Sequence, residues 1–232
     1  MDSWVYDVTS HTFRNARTGK VMTAADMVTV RDAFLEARRQ AAFQVVQQYI
    51  DRLITYQQFA QAFRALTAET HAALAILGAG GSARFAQLPT ATRSLYDALR
   101  MQAVYADQFL ADVLAGTMTP DEMKNRAGMY QESAVTTYEE TSADDWSLDL
   151  PYFPGDGDTQ CMMRCRCSWS IENVFEGDYA VTYATWVTER DGNVCEDCAA
   201  RGNEWDRVEV RRRGMTADER VGTRPVREPE SL

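Results

Sequence analysis

Five thiols are the side chains of this sequence best suited to chemistry: Cys161, Cys165, Cys167, Cys195 and Cys198. They are spaced C-x3-C-x-C, then a gap of 27 residues, then C-x2-C, and residues 1–160 contain no cysteine. Each short cluster can present two thiolates on one tight turn, and an ion held between the clusters closes the long loop separating them. The expectation is one structural Zn²⁺ bound by four of the five sulfurs. Cys195 and Cys198 form the first pair. Cys165 joins them with either Cys161 or Cys167, and Cys167 can instead be a plain buried thiol of a small core. All-cysteine ligation leaves no open coordination position for water, which makes such a site structural rather than catalytic. The spacing does not separate zinc from iron. Unrelated free cysteines are the bland alternative, and a redox pair at Cys195-Glu196-Asp197-Cys198 lacks the βαβ context such motifs need.

Nothing else assembles a nucleophile, a base and an oxyanion donor, so no catalytic residue is assigned and the chain does not read as an enzyme. His11 and His71 are far apart, and His71, on the polar-to-small side of a helix, reads as a surface or packing residue. Asp144-Asp145 and Asp156/Asp158 lie in a stretch with Pro and Gly and read as a solvated loop. Gly78-Ala79-Gly80-Gly81 follows a helix rather than a strand, so it is not a phosphate cradle. Arg211-Arg212-Arg213 is a short basic run that Asp206, Glu209, Asp218 and Glu219 largely offset.

The bulk numbers narrow the classes further. The 232 residues carry a formal net charge of −10 with a pI near 4.8, which argues against general nucleic-acid binding. An apolar content of 45% is that of a globular chain with a real core. The start, Met1-Asp2-Ser3-Trp4-Val5-Tyr6-Asp7, has neither the basic nor the apolar region of a secretory signal. No apolar run approaches the roughly 18 residues of a membrane span. An odd number of cysteines without a signal suggests reduced thiols and metal, hence a reducing cytoplasm.

The elements that must position the thiols follow from periodicity. Residues 1–22 read as an extended arm. Beyond Thr23, Met27, Val30, Phe34, Ala37, Ala41, Val45 and Tyr49 form one apolar stripe on a long helix. Thr55 with Gln58 opens a second helix carrying Phe59, Phe63, Leu66, Leu74 and Leu77, which the glycines from Gly78 stop. Leu95, Leu99, Ala103, Ala106, Leu110 and Val113 mark a third. Thr119-Pro120-Asp121-Glu122 is a capping box with Pro at the first helical position, opening a fourth helix with Met123, Met129, Tyr130, Ala134 and Tyr138. Four such stripes are buried most simply in a helical bundle spanning 23–142. A linker over 143–160 follows. Over 161–210 the period changes to two: Cys167, Trp169 and Ile171, then a Glu176-Gly177-Asp178 turn, then Val181, Tyr183, Thr185 and Val187, which is a β-hairpin or small meander. The segment 211–232 reads as a charged tail. The fold class is mainly α with a small zinc-stapled β domain, which is too small to fold alone without the metal.

In this order the elements resemble a known family. Arg14-Asn15-Ala16-Arg17-Thr18-Gly19-Lys20-Val21 looks like an R-x-x-R-T-G-R-F arm, and His71 to Gly81 is similar to an H-x-A-A-x-x-L-G-x-G-G helix end. Arg126-Ala127-Gly128-Met129-Tyr130 with Thr137-Tyr138-Glu139 resembles an R-A-x-x-Y … T-Y-E helix. Leu150-Pro151-Tyr152-Phe153-Pro154-Gly155-Asp156-Gly157 then leads into the cysteines, where Arg164-Cys165-Arg166-Cys167 resembles an N-C-R-C cluster. Together these resemble the head-morphogenesis or minor head proteins of tailed bacteriophages. The second cluster, Val194-Cys195-Glu196-Asp197-Cys198, lacks the His of the E-H-C-P-D-C form, which leaves ligation to the thiols.

The resemblance implies a structural virion protein of the phage head, in multiple copies, contacting the portal or the major capsid protein, and assembled in the host bacterial cytoplasm. It implies no membrane partner. Trp4, Tyr6, Phe13 and the tail with Arg211, Arg212 and Arg213 are expected to make the intermolecular contacts, because polar arms gain order by lying across partners. The competing class is a zinc-ribbon regulator binding nucleic acid, which would need a basic face on the hairpin. There Glu172, Glu176, Asp178, Glu189 and Asp191 stand against Arg190 alone.

Overall fold

In a computed structural model, residues 4–7, 12–15, 18–22, 24–146, 148, 150–156, 158–161, 165–176, 179–188 and 194–210 are described. Helices α1 (Ala24–Ile50), α2 (Tyr56–Gly78), the single turn α3 (Ser82–Phe85), α4 (Pro89–Leu114), α5 (Pro120–Glu132) and α6 (Ala134–Asp145) make the body. A three-stranded antiparallel sheet follows, from β4 (Ser168–Glu176), β5 (Tyr179–Val187) and β6 (Val208–Glu209), with α7 (Glu196–Glu204) between β5 and β6. The class is mainly α with a small antiparallel sheet. No described helix is long and apolar enough to cross a membrane. Within the segment read as an extended arm, β1 (Trp4–Asp7), β2 (Thr12–Asn15) and β3 (Val21–Met22) pair as an antiparallel meander with Tyr6 opposite Phe13. The side chains of Trp4, Tyr6 and Phe13 lie outside the described residues, as do Thr23, Gly177, Asp178 and the whole of 211–232 with Arg211, Arg212 and Arg213.

Two helices, α2 and α5, start at the capping signals the sequence shows, whereas α4 starts at Pro89 behind Leu88 with no side-chain cap. The Gln58 N–H donates to Thr55 Oγ1 at 3.3 Å while the Thr55 N–H donates to Gln58 Oε1 at 2.8 Å, and Thr119 with Glu122 repeats the arrangement ahead of Pro120. The predicted fourth helix is interrupted at Ser133, whose hydroxyl donates to the Tyr130 carbonyl, and it becomes α5 and α6. Ala42, Val46, Phe59, Phe63, Phe109, Leu110 and Tyr130 form the largest core cluster, with Phe63 edge-on to Tyr130 at 5.2 Å.

Three expectations need correction. The buried line of α1 is Met27, Arg31, Leu35, Ala42 and Val46, about one residue round from the predicted stripe, and Ala37 is exposed. An arginine occupies the middle of that line because its partners are buried with it. The pair Asp144-Asp145 is not a solvated loop: it ends α6, is buried, and Asp145 accepts from Arg84 Nε at 2.5 Å. The stretch read as a linker is packed, with Leu148 and Leu150 in the core beneath the sheet and the Tyr152 carbonyl accepting from Trp169 Nε1 at 2.9 Å.

Helix α6 is buried almost all round although its sequence is polar. Its neighbours supply the partners. His71 on α2 is fully buried, with Nδ1 2.8 Å from Thr137 Oγ1 and Nε2 3.3 Å from Ser133 Oγ. It is therefore a packing residue, not a surface one, and burial holds its pKa down at about 4, so the ring is neutral. The α2–α6 approach is close enough that a Cβ on Gly78 would overlap the Tyr138 carbonyl oxygen. This glycine ends α2 and also lets α6 in.

Candidate metal centre

Two strands and one helix bring the thiols together. β4 and β5 pair from Ser168↔Val187 to Glu176↔Tyr179, which sets Trp169 opposite Trp186 and brings the chain after β5 back beside the chain before β4. Cys195 is the N-cap of α7, and the Cys198 N–H points at its sulfur at 3.5 Å. The C-x2-C pair is thus one turn at a helix N-terminus, where the partial positive charge favours thiolate. Asp197 accepts from the Gln160 N–H at 2.8 Å, tying that turn to the segment bearing Cys161.

The sulfurs of Cys161, Cys165 and Cys198 lie within 4.8 Å of one another. Cys161 is 3.5 Å from Cys198, Cys165 is 3.6 Å from Cys198, and Cys195 is 3.6 Å from Cys161. None of the five is in a disulfide, which would need sulfurs about 2 Å apart. Tetrahedral ligation with metal–sulfur bonds of about 2.3 Å sets sulfur–sulfur edges of about 3.8 Å. The three mutually close sulfurs are spaced as donors around one ion would be, while Cys195 stands outside that group and meets it at Cys161. Cys165, Cys167 and Cys198 are buried, Cys161 and Cys195 half-buried.

The electrostatics separate the thiols. The neighbouring Cys167 thiol is the main reason the Cys165 pKa falls to about 5, and the same neighbour, with burial, pushes Cys167 far up. Burial pushes Cys161 up to about 11 and raises Cys198. Burial opposes ionisation of Cys195 too, but hydrogen bonds from Cys198 and Cys161 outweigh it and lower its pKa. Cys167 therefore keeps its proton. Four tryptophans surround the cluster: Trp146, Trp169, Trp186 and Trp205 share its core. Arg201, one turn after Cys198 on α7, lies over the Tyr152 ring at 4.4 Å and the Trp186 ring at 5.4 Å.

The body grips the first cluster through residues the sequence reading missed. Arg31, fully buried on α1, donates from Nη1 to Glu139 Oε1 at 2.6 Å and to the Cys167 carbonyl at 3.3 Å. Its Nη2 donates to the Arg166 carbonyl at 3.2 Å and its Nε to Asp32 at 2.8 Å. The Trp169 N–H reaches Glu139 Oε2 at 3.4 Å. One ion pair between α1 and α6 therefore takes up the Arg166 and Cys167 carbonyls and the Trp169 N–H. The available signal was the position of Arg31 four residues after Met27 and four before Leu35, in a buried row.

A pocket of about 180 Å³ lined by Gln102, Tyr105, Arg126, Met129 and Tyr130 lies on α4 and α5 and includes none of the thiols. No family model, curated protein or solved structure matches the chain.

Proposed function

We propose that Cys161, Cys165, Cys195 and Cys198 hold one structural Zn²⁺, and that the protein is a structural component of a tailed-phage head whose C-terminal unit the metal fastens to its helical body. The observation that carries the metal reading is the group of Cys161, Cys165 and Cys198, with sulfurs within 4.8 Å of one another and drawn from both ends of the β4–β5 hairpin, and Cys195 stands 3.6 Å from Cys161 as the fourth donor. Zinc supplies fold stability there, on the order of 10 kcal/mol for a site of this type. Cys167 is the thiol left over, buried behind Cys165. The head assignment rests on the sequence resemblance, which spans the N-terminal arm, the His71–Gly81 helix end, the Arg126–Glu139 segment and both cysteine clusters.

Elemental analysis of the purified chain tests the metal, with one zinc per chain expected and none or iron refuting it. Cys198→Ser should lose the ion, whereas Cys167→Ser should retain it. Mass spectrometry of purified phage particles tests the second half, and absence of the chain from virions refutes it. Filter binding at low salt addresses the regulator reading: tight, salt-sensitive DNA binding would replace the head assignment.

A further inference from the structure

Helix α4 has two faces of different character. Ala91, Ala106, Phe109, Leu110 and Val113 turn one face into the body and are buried. At about 100° per residue, the opposite face carries Arg93, Tyr96, Asp97, Arg100, Met101 and Val104, and all six are exposed. Tyr96, Val104 and Met101 are 68%, 60% and 45% exposed. Large apolar side chains scattered singly over a surface need no partner, but three along one face of one helix make a patch. This is also where the predicted stripe fails, since Leu95 and Leu99 are half-buried and Ala103 is exposed.

The charges on this face are equally unused. Arg31, Arg38, Arg39, Arg64, Arg84 and Arg126 each close an ion pair within the chain. Among the described residues Arg93, Asp97 and Arg100 close none. Their order is self-complementary. When the face is laid antiparallel on itself about a two-fold axis between Ala98 and Leu99, Tyr96 of each copy meets Met101 of the other. Asp97 of each meets Arg100 of the other, and Arg93 lies along Val104, its stem against the apolar side chain. We propose that this outer face of α4 pairs antiparallel with the same face of a second copy of this chain. The contact is isologous, so each pairing occurs twice. It is a single-helix interface, at the small end of specific contacts, so the dimer forms only at high chain concentration. The inference does not depend on the metal reading.

Sedimentation velocity on the full chain, from about 5 to 500 μM, reads the dimer directly. Arg100→Glu alone and Asp97→Arg alone each set like charges opposite one another twice, and each should weaken dimerisation about 30-fold. An equimolar mixture of these two variants restores it, because every pair across the axis is again opposite in sign. Met101→Asp should give a monomer with unchanged helical circular dichroism. A wild-type chain that stays monomeric throughout overturns the proposal. So does dimerisation that ignores the single charge reversals, or a mixture that remains monomeric.

Discussion

Replacing Arg31 by Met removes the guanidinium and leaves its shape roughly filled. The structure specifies what is lost: a 2.6 Å ion pair to Glu139, a 2.8 Å hydrogen bond to Asp32, and the donors to the Arg166 and Cys167 carbonyls. Asp32 is partly exposed and can turn to water. Glu139 cannot, and breaking a buried pair by deleting one partner costs about 3–5 kcal/mol. The two stranded carbonyls add to this, so a loss of about 4–5 kcal/mol is expected in urea unfolding followed by far-UV circular dichroism. Burial already lifts Glu139 to about 7 with Arg31 opposing it, so without Arg31 the carboxyl takes a proton in the native state at higher pH. A carboxyl whose folded pKa exceeds its unfolded one loses stabilisation as pH rises, because the native state binds the extra proton. The deficit should therefore widen from pH 6 to pH 8. Adding Glu139→Gln removes the uncompensated charge and should recover at least half of it. A single variant that loses less than about 1 kcal/mol, or a double variant no better than the single, would refute the view that this pair anchors the first cysteine cluster.

Three further outcomes are expected. Gly78→Ala should destabilise by about 2–3 kcal/mol, because its Cβ overlaps the Tyr138 carbonyl oxygen, while Gly116→Ala, at φ +69° with open space around it, should lose only about 1–2 kcal/mol; equal losses in thermal unfolding would contradict the close helix approach. His71, with a folded pKa of about 4, binds its proton in the unfolded chain first. Stability should therefore fall as pH drops from 6.5 towards 4, by about 3 kcal/mol from this residue, and His71→Gln should flatten that part of the curve; parallel wild-type and variant curves would show that the ring is not the cause. Zinc stripped by a chelator should reduce the protection of α7 and β6 amides in hydrogen exchange far more than that of α1 and α6, and uniform loss would contradict a local metal clasp.

Much of this architecture was legible in the sequence because it depends on local rules. Both capping boxes, the glycine stop after Leu77 and the two β-strands appear at the residues that encode them. So did the gathering of thiols, since the C-x2-C turn needs only its own helix start and a hairpin to return it. What escaped was long-range. Arg31 looks like a surface residue until Glu139, 108 positions later, and the Cys167 carbonyl are placed around it. In the α6 sequence Ala-Val-Thr-Thr-Tyr-Glu-Glu-Thr the stripe shows only Ala134, Val135 and Tyr138, whereas Thr137 and Glu139 are buried because of partners on other helices, which periodicity does not reveal. The prolines and glycines after Leu150 suggested a linker and gave no sign that Leu148 and Leu150 lie in the core.

The placement of the indoles has a practical consequence. Of the five tryptophans, four crowd the sulfur cluster, with Trp169 and Trp186 perpendicular at 5.2 Å and Trp169 and Trp205 near-parallel at 5.6 Å. Intrinsic emission from this chain therefore comes largely from its C-terminal unit, and thiolates quench neighbouring excited rings. Loading and loss of an ion should register as a change in brightness and in the near-ultraviolet exciton signal, without any attached dye.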